Sequence, residues 1–258
     1  MSKFTSFSRT KNLSNGILES YNLEVDKAKV TIKIEKNEDG IFYNLYIHKI
    51  DIGTSSLLGE LRKELISVTS IAVGDIVDQK SVSKIKRRFM DDAQKILKEK
   101  VPHISSETEE FLVGILIQEM LGLGKIEFLI SDENLEEIVI ISSKEPVRTY
   151  HKKYGWLKTN ILIPTEEEIN NYANIIARRV GRQISVLNPL LDAHVVTGDR
   201  ANAVLYPVAT KGNTITIRKF ARDPWTMIDL IDNGTANKDV AALLWLAIEY
   251  EINVLISG

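Results

Sequence analysis

Arg200 and Arg218 are the residues whose type and setting offer chemistry. The run Thr214–Phe220 alternates as a strand does, with Thr214, Thr216, Arg218 and Phe220 on one face and Ile215 and Ile217 on the other. Arg218 therefore projects from the polar face of a sheet whose opposite face is core. A guanidinium is a planar fork of donors with a charge that does not titrate, suited to bidentate contact with a phosphate. The competing assignment is two surface arginines neutralised by Asp192 or Asp199. A second feature lies at the far end of the chain, where the apolar run Ile252–Ile256 leads through Ser257 to Gly258. A strand ending in glycine is how a phosphate-binding loop begins, because the turn must leave the carboxyl end of a strand. The plainer reading is one more edge strand on the preceding sheet.

Other residue types narrow the chemistry. The 258 residues include no Cys, which excludes disulfides, thiolate metal sites and cysteine nucleophiles. His48, His103, His151 and His194 stand too far apart to form a local metal motif, and no metal site is expected. With 33 Lys+Arg against 35 Asp+Glu, the net charge of −2 gives no bulk attraction to nucleic acid, and none is expected as a partner. The basic run Lys84–Arg88 shares its helix with Asp91, Asp92 and Glu99, which reads as a solvated, self-compensated face. Arg178, Arg179 and Arg182 cluster at a helix C-terminus, where the dipole favours cations; a subunit interface is the alternative. No signal peptide opens the sequence, and the longest apolar stretch, Phe111–Ile117, falls well short of the roughly 20 residues a membrane span needs. A cytoplasmic location is expected.

The elements that must position these residues form an α+β pattern. Residues 1–20 read as a flexible tail. Two β runs, about Leu23–Ile34 and Ile41–Ile47, flank Asp39-Gly40, a hairpin signal. A short helix is expected near Leu57–Leu65. A longer one over Ser83–Lys100 puts Ile85, Phe89, Ala93, Ile96 and Leu97 on one stripe and stops before Pro102. Ser106-Glu107-Thr108-Glu109 reads as a capping box for a helix ending at Gly122 or Gly124, and Thr165–Glu168 as another for a helix closing at Gly181. Glu137–Ile141, Val147–His151, Trp156–Thr159, Asn202–Tyr206 and Thr214–Phe220 read as strands of an antiparallel sheet with helices packed on it. A linker around Arg222-Asp223-Pro224 leads to a helix over Lys238–Glu249. The expected division is a tail (1–20), an N-terminal helical and β subdomain (21–104), a sheet-and-helix domain (105–221), and a linker with the first helix and strand of an α/β domain (222–258).

Several ordered segments resemble one family. Gly122–Asp132 is similar to the segment that opens the second N-terminal domain of secretion ATPases. Tyr150–Leu157 with Thr159-Asn160-Ile161 is similar to the archaeal version of its hairpin, and Gly16–Tyr21 also has an archaeal look. Asn188–Ala193, Gly198–Ala203 and Thr214–Phe220 resemble the family pattern "P-LDA-LPDGSR-NA…TIRKF". The family is the type II/IV secretion-system ATPases, including those driving archaeal flagella (archaella) and pili. The likeness is dense over 105–258 and thin over 20–104. It departs at Thr197-Gly198-Asp199, where the family usually has Pro-Asp-Gly-Ser.

The resemblance implies that Gly258 is the first glycine of Walker A, which opens a RecA-like domain. The catalytic parts would then lie downstream, with no catalytic residue in this chain. It implies that Arg200, Arg218, Lys219 and Phe220 belong to a surface holding ATP, with Mg2+ bound in the full-length parent. Phe220 and Trp225, near the hinge, are candidates for the adenine. It also implies a homo-oligomer, a hexamer when full length, peripheral to the membrane through a polytopic partner. The rival from another class is a stand-alone interaction or sensor domain without nucleotide chemistry.

Overall fold

The computed structural model describes residues 16–47, 52–68, 79–195, 198–220 and 225–257. Among them lie nine strands, β1 (Gly16–Val25), β2 (Ala28–Asn37), β3 (Gly40–Ile47), β4 (Leu135–Ile140), β5 (Arg148–His151), β6 (Gly155–Thr159), β7 (Leu190–His194), β8 (Arg200–Val204) and β9 (Thr214–Arg218). Seven helices accompany them: α1 (Ile52–Val68), α2 (Gln79–Lys100), α3 (Ser106–Leu121), α4 (Ile126–Ser131), α5 (Glu166–Arg179), α6 (Met227–Asp232) and α7 (Lys238–Glu249). The chain divides after Phe220 into two compact units.

In the first unit all nine strands form one sheet, ordered β1-β2-β3-β6-β5-β4-β9-β8-β7. Every neighbouring pair is antiparallel except β3 and β6, which run parallel. The stretches 21–104 and 105–221, read from sequence as separate domains, thus share a sheet within one unit. Their junction is short, with register pairs Phe42↔Lys158 and Tyr43↔Thr159. Beyond them the Asn160 side chain takes the place of a further rung: it accepts from Leu45 N (2.9 Å) and donates to Leu45 O (3.0 Å).

Alternation decides which face is dry. On β2, Ala28, Val30, Ile32 and Ile34 are buried, and the intervening Lys29, Thr31, Lys33 and Glu35 are not. The same parity carries across to Ile138, Thr149, Leu157, Ile217, Ala201 and Ala193. Helix α3 packs on β2, α4 on β1 and β4, and α5 on β7 and β9. The helices therefore cover the buried side.

Two local results depart from the sequence expectation. Strand β1 starts at Gly16, within the stretch read as tail, and pairs with β2 through a turn at Asp26-Lys27 whose φ values are 49° and 69°. Neither residue is glycine, so the tight turn gave no Asp-Gly or Asn-Gly signal. Outside contacts hold it: Lys86 pairs with Asp26 and Lys27 with Glu110, both at 3.0 Å, and Gln118 Nε2 donates to Val25 O. The cap of α3 is Ser105, accepting from Thr108 N, one residue before the expected box. Helix α1, Ile52–Val68, is nearly twice as long as the short helix expected near Leu57–Leu65, and α2 begins at Gln79 rather than Ser83, whereas Thr165 caps α5 and α7 spans Lys238–Glu249 as expected.

A buried carboxylate joins the N-terminal strands to the rest. Asp132, 1% exposed, accepts from Tyr21 Oη (2.5 Å) and Tyr43 Oη (2.7 Å) through Oδ2, and from Asn134 N (2.9 Å) through Oδ1. Burial first, and then Asp132, push both phenols far above their ordinary value, so both remain donors. Nearby His151 is 2% exposed; its Nδ1 accepts from Lys153 N, and among the described residues its Nε2 finds no partner.

The second unit holds α6, closed by a reciprocal capping box between Thr226 and Asp229, and α7, capped by Asn237. Helix α6 falls where the sequence suggested only linker. The run Ile252–Ile256, expected as a strand, is in no sheet, and its apolar side chains are exposed (Leu255 93%, Ile256 83%). Its hydrophobicity was read as burial, but among the described residues no neighbouring strand pairs with it. Gly258 and Arg222-Asp223-Pro224 lie outside the described residues.

Two predictions follow from this packing. A Cβ on Gly114 of α3 would stand 2.4 Å from Asp26 O and 3.0 Å from Ala28 N, whereas at Gly59 of α1 it would meet nothing within 4 Å. Gly114→Ala should lower the melting temperature, because overpacking against backbone costs about 1–3 kcal/mol and exceeds the ~1 kcal/mol of helix propensity that alanine brings. Gly59→Ala should raise it by that propensity alone. Burial pushes the His151 imidazole below its ordinary value, against the pull of Asp132 and Glu19 and with the help of Lys153 and Lys152. A base held neutral in the fold stabilises fully above its unfolded pKa of about 6.5, and that contribution is lost as pH falls below it. Melting curves from about pH 7.5 to 5 should therefore slope more steeply for the wild type than for His151→Gln.

Candidate anion site on the open face of the sheet

The face opposite the helices carries the candidate residues. Counting the register across six strands gives one row: Trp156 on β6, Tyr150 on β5, Glu137 on β4, Arg218 on β9, Arg200 on β8 and His194 on β7. None of the six is buried. Arg200 and Arg218 are direct cross-strand partners. In that position Cβ atoms stand about 5 Å apart, and like charges oppose each other. The two arginines thus stem from neighbouring positions on the open face.

Local sequence explains the placement. Strand β7 alternates Leu191 and Ala193 inward with Asp192 and His194 outward, and β8 does the same with Ala201 and Ala203 against Arg200 and Asn202. At the other end of these strands Glu166, in the first turn of α5, accepts from Ser143 N (2.7 Å) and Asn213 N (2.6 Å). It ties the β4–β5 loop and the residue before β9 to the helix.

The two arginines are not in the same state. Arg200 donates to Asp192 through a fork, Nε to Oδ1 at 2.9 Å and Nη2 to Oδ2 at 2.7 Å. Its bonds first, against an opposing effect of desolvation, hold the Asp192 carboxyl below its usual range, and the charges of Arg200, His194 and Arg182 add to them. The pair is open to water, with side chains 57% and 51% exposed. Arg218 makes no ion pair among the described residues. Of the two acids proposed from sequence as partners, Asp192 is the one engaged; Asp199 is buried and accepts from Phe220 N at 2.7 Å.

The other sequence candidates separate. Lys219 alternates to the opposite side of β9, and its Nζ donates to the main-chain oxygen of Asp132, so its ammonium does not join the two guanidinia. Phe220 is 66% exposed and lies over Gly198, whose φ of +91° and missing side chain leave room for the ring. Trp225 is exposed in the second unit. Lys86 of the basic run pairs with Asp26 rather than along its own helix, and Arg179 with Glu127 at 2.7 Å. Arg182, grouped from sequence with Arg178 and Arg179 at the helix end, stands beyond the end of α5 and donates from Nη1 to Asp192 O at 2.5 Å, a link that sequence reasoning missed. It missed Glu137 and His194 as well. Alternation in Leu190–His194 was the available signal, in a segment not read as a strand.

No family model matches the chain. It is 30% identical over 253 residues to the uncharacterized protein MJ0781 of Methanocaldococcus jannaschii, covering 94% of this chain and 33% of that protein. MJ0900 of the same organism, also uncharacterized, is 37% identical over 172 residues, covering 66% of this chain and 30% of that protein. MJ1288, a third uncharacterized protein, is 30% identical over 172 residues, with 67% and 66% covered. The chain thus spans about a third of the first two relatives. Among solved structures it is similar to the VirB11 ATPase from the Brucella suis type IV secretion system in complex with sulphate, at 20% identity and a TM-score of 0.37, over 49% of this chain and 41% of that one. Among the described residues no helix is long and apolar enough to cross a membrane.

The opposed arginines make a stability test. Arg218 stands between Arg200 and Glu137 in the row and makes no ion pair among the described residues, so Arg218→Ala removes one like-charge and one opposite-charge neighbour and should leave the melting temperature nearly unchanged at low salt. A clear drop would assign Arg218 a structural contact instead.

Proposed function

We propose that this chain is the N-terminal part of a secretion-type ATPase, in which Arg200 and Arg218 hold the phosphates of a nucleotide presented by a neighbouring catalytic domain. The observation that carries this reading is the cross-strand juxtaposition of the two arginines on the open face. A fold does not place two like charges opposite each other for its own stability, and paired guanidinia suit a polyphosphate. The ordered family-like segments Gly122–Asp132, Asn188–Ala193 and Thr214–Phe220 support it independently.

The residues present fit the phosphate end of ATP. They do not fit its Mg2+: among the described residues no three His, Asp or Glu side chains group to hold a metal ion. Magnesium therefore belongs to the catalytic domain in this reading, together with the Walker A loop that would begin at Gly258 and open a RecA-like domain. What this chain supplies is fixed positive charge that meets the nucleotide when the domains close and releases it when they part. A hexameric ring, powering protein secretion or assembly of a pilus or archaellum from the cytoplasmic side through a polytopic membrane partner, completes the proposal. That part rests on the resemblance alone.

A second reading, an interaction or sensor domain without nucleotide chemistry, draws on one observation: Asp192 already satisfies Arg200. Turnover separates the two. In the ATP-hydrolysing parent, Arg200→Ala or Arg218→Ala should slow hydrolysis by about one to two orders of magnitude, the worth of a charge-assisted contact. Lysine should rescue poorly, because a point charge does not reproduce the fork. Unchanged turnover in both variants returns these arginines to surface chemistry.

A further inference from the structure

We propose that Asp192 is a displaceable counter-ion occupying the Arg200 half of a phosphate site, and that Arg182 is the third arginine of that site. The inference rests on the reading of Arg200 and Arg218 given above and adds how the site is held and reset.

Two arginines meet at one residue of β7, and a third faces one of them from β9. Arg200 grips the Asp192 carboxylate with Nε and Nη2, Arg182 donates to the same residue's main-chain oxygen, and Arg218 stands directly across from Arg200. The two-bond fork on Asp192 is the geometry a phosphate would take from the same guanidinium. The carboxylate carries one negative charge, whereas a terminal phosphate carries about −1.5 to −2 and offers three acceptor oxygens. The ion pair is half exposed on both sides, so water competes for it, and such a pair contributes little net stability. These conditions allow exchange. A phosphate approaching between Arg200 and Arg218 takes the fork, and Asp192 turns to solvent.

Arg182 reaches the same point by another route. It lies past α5, and its bond to a main-chain oxygen holds the guanidinium beside the carboxylate without neutralising it. It therefore keeps its full charge for an incoming anion, unlike Arg200. With Asp192 displaced, three arginines face the phosphate. When the anion leaves, Asp192 re-forms the fork and prevents two opposed guanidinia from standing bare. The carboxylate thus sets the affinity and restores the empty state in the same step.

The test measures binding of inorganic pyrophosphate to the 258-residue chain by calorimetry at low salt, alongside the Arg200 Nε–H signal in nitrogen-resolved NMR. Asp192→Asn and Asp192→Ser should each tighten binding by roughly 3- to 10-fold, the effect of removing an exposed carboxylate beside the anion. The gain should vanish in an Arg200→Ala background, since nothing is then left to release. Arg182→Ala should weaken binding by a similar factor, and pyrophosphate should shift the Arg200 Nε–H signal of the wild type. Both Asp192 variants replace an exposed edge-strand residue, and circular dichroism checks that they fold. Unchanged affinity in both overturns the counter-ion role while the two-arginine reading stands, and unchanged affinity in Arg182→Ala overturns the third arginine. If Arg200→Ala and Arg218→Ala bind pyrophosphate as the wild type does, the reading beneath the proposal fails with it.

Discussion

The Asp132 carboxylate is the interaction on which the first unit turns. It sits at the end of a six-residue helix, where a buried charge requires hydrogen bonds, and it obtains them from three separate places. Tyr21 and Tyr43 bring β1 and β3; Asn134 brings the start of β4. Its own main-chain oxygen takes Lys219, just beyond the end of β9. The N-terminal hairpins, the central strands and the arginine-bearing strand are thereby tied to one residue. Removing either phenol would leave a charge in the core short of a donor, which is costlier than the loss of an ordinary hydrogen bond.

How much of this was legible in the sequence depends on where the information lies. Helices with local caps were readable, because Thr165 and the stripe from Ile169 to Ala177 are close together in the chain. The open and covered faces of β9 were readable from alternation alone. The β1–β2 turn was not, because Asp26 and Lys27 take positive φ under restraint from α2 and α3, residues 60 and more positions away. A glycine inside a helix signals only lost propensity, and the turn pressed against Gly114 is visible in the fold alone.

The candidate site was half legible. The chemistry of Arg200 and Arg218 and their alternative partners could be listed from residue types. Which acid pairs, and that the two arginines face each other, are matters of register, fixed only when β7, β8 and β9 align. Lys219 was grouped with them by the resemblance, yet neighbours along a strand fall on opposite sides. Arg182 was not joined to them because it reaches Asp192 through a backbone oxygen, which no residue type announces.

The parallel junction of β3 and β6 has a mechanical meaning. A sheet pulled across its strands opens rung by rung, and the ladder with fewest rungs parts first. The seam between the N-terminal strands and the rest has two register pairs and the borrowed amide of Asn160, whereas β1–β2 and β2–β3 are paired along nearly their whole length. Across that short ladder, β1, β2 and β3 are held instead by the packing of α3 and α4 and by the two phenols on Asp132. The strands bearing the arginines lie on the far side of that seam, with β6, β5 and β4 between, so within the sheet a load on the N-terminal strands reaches them only through three longer ladders.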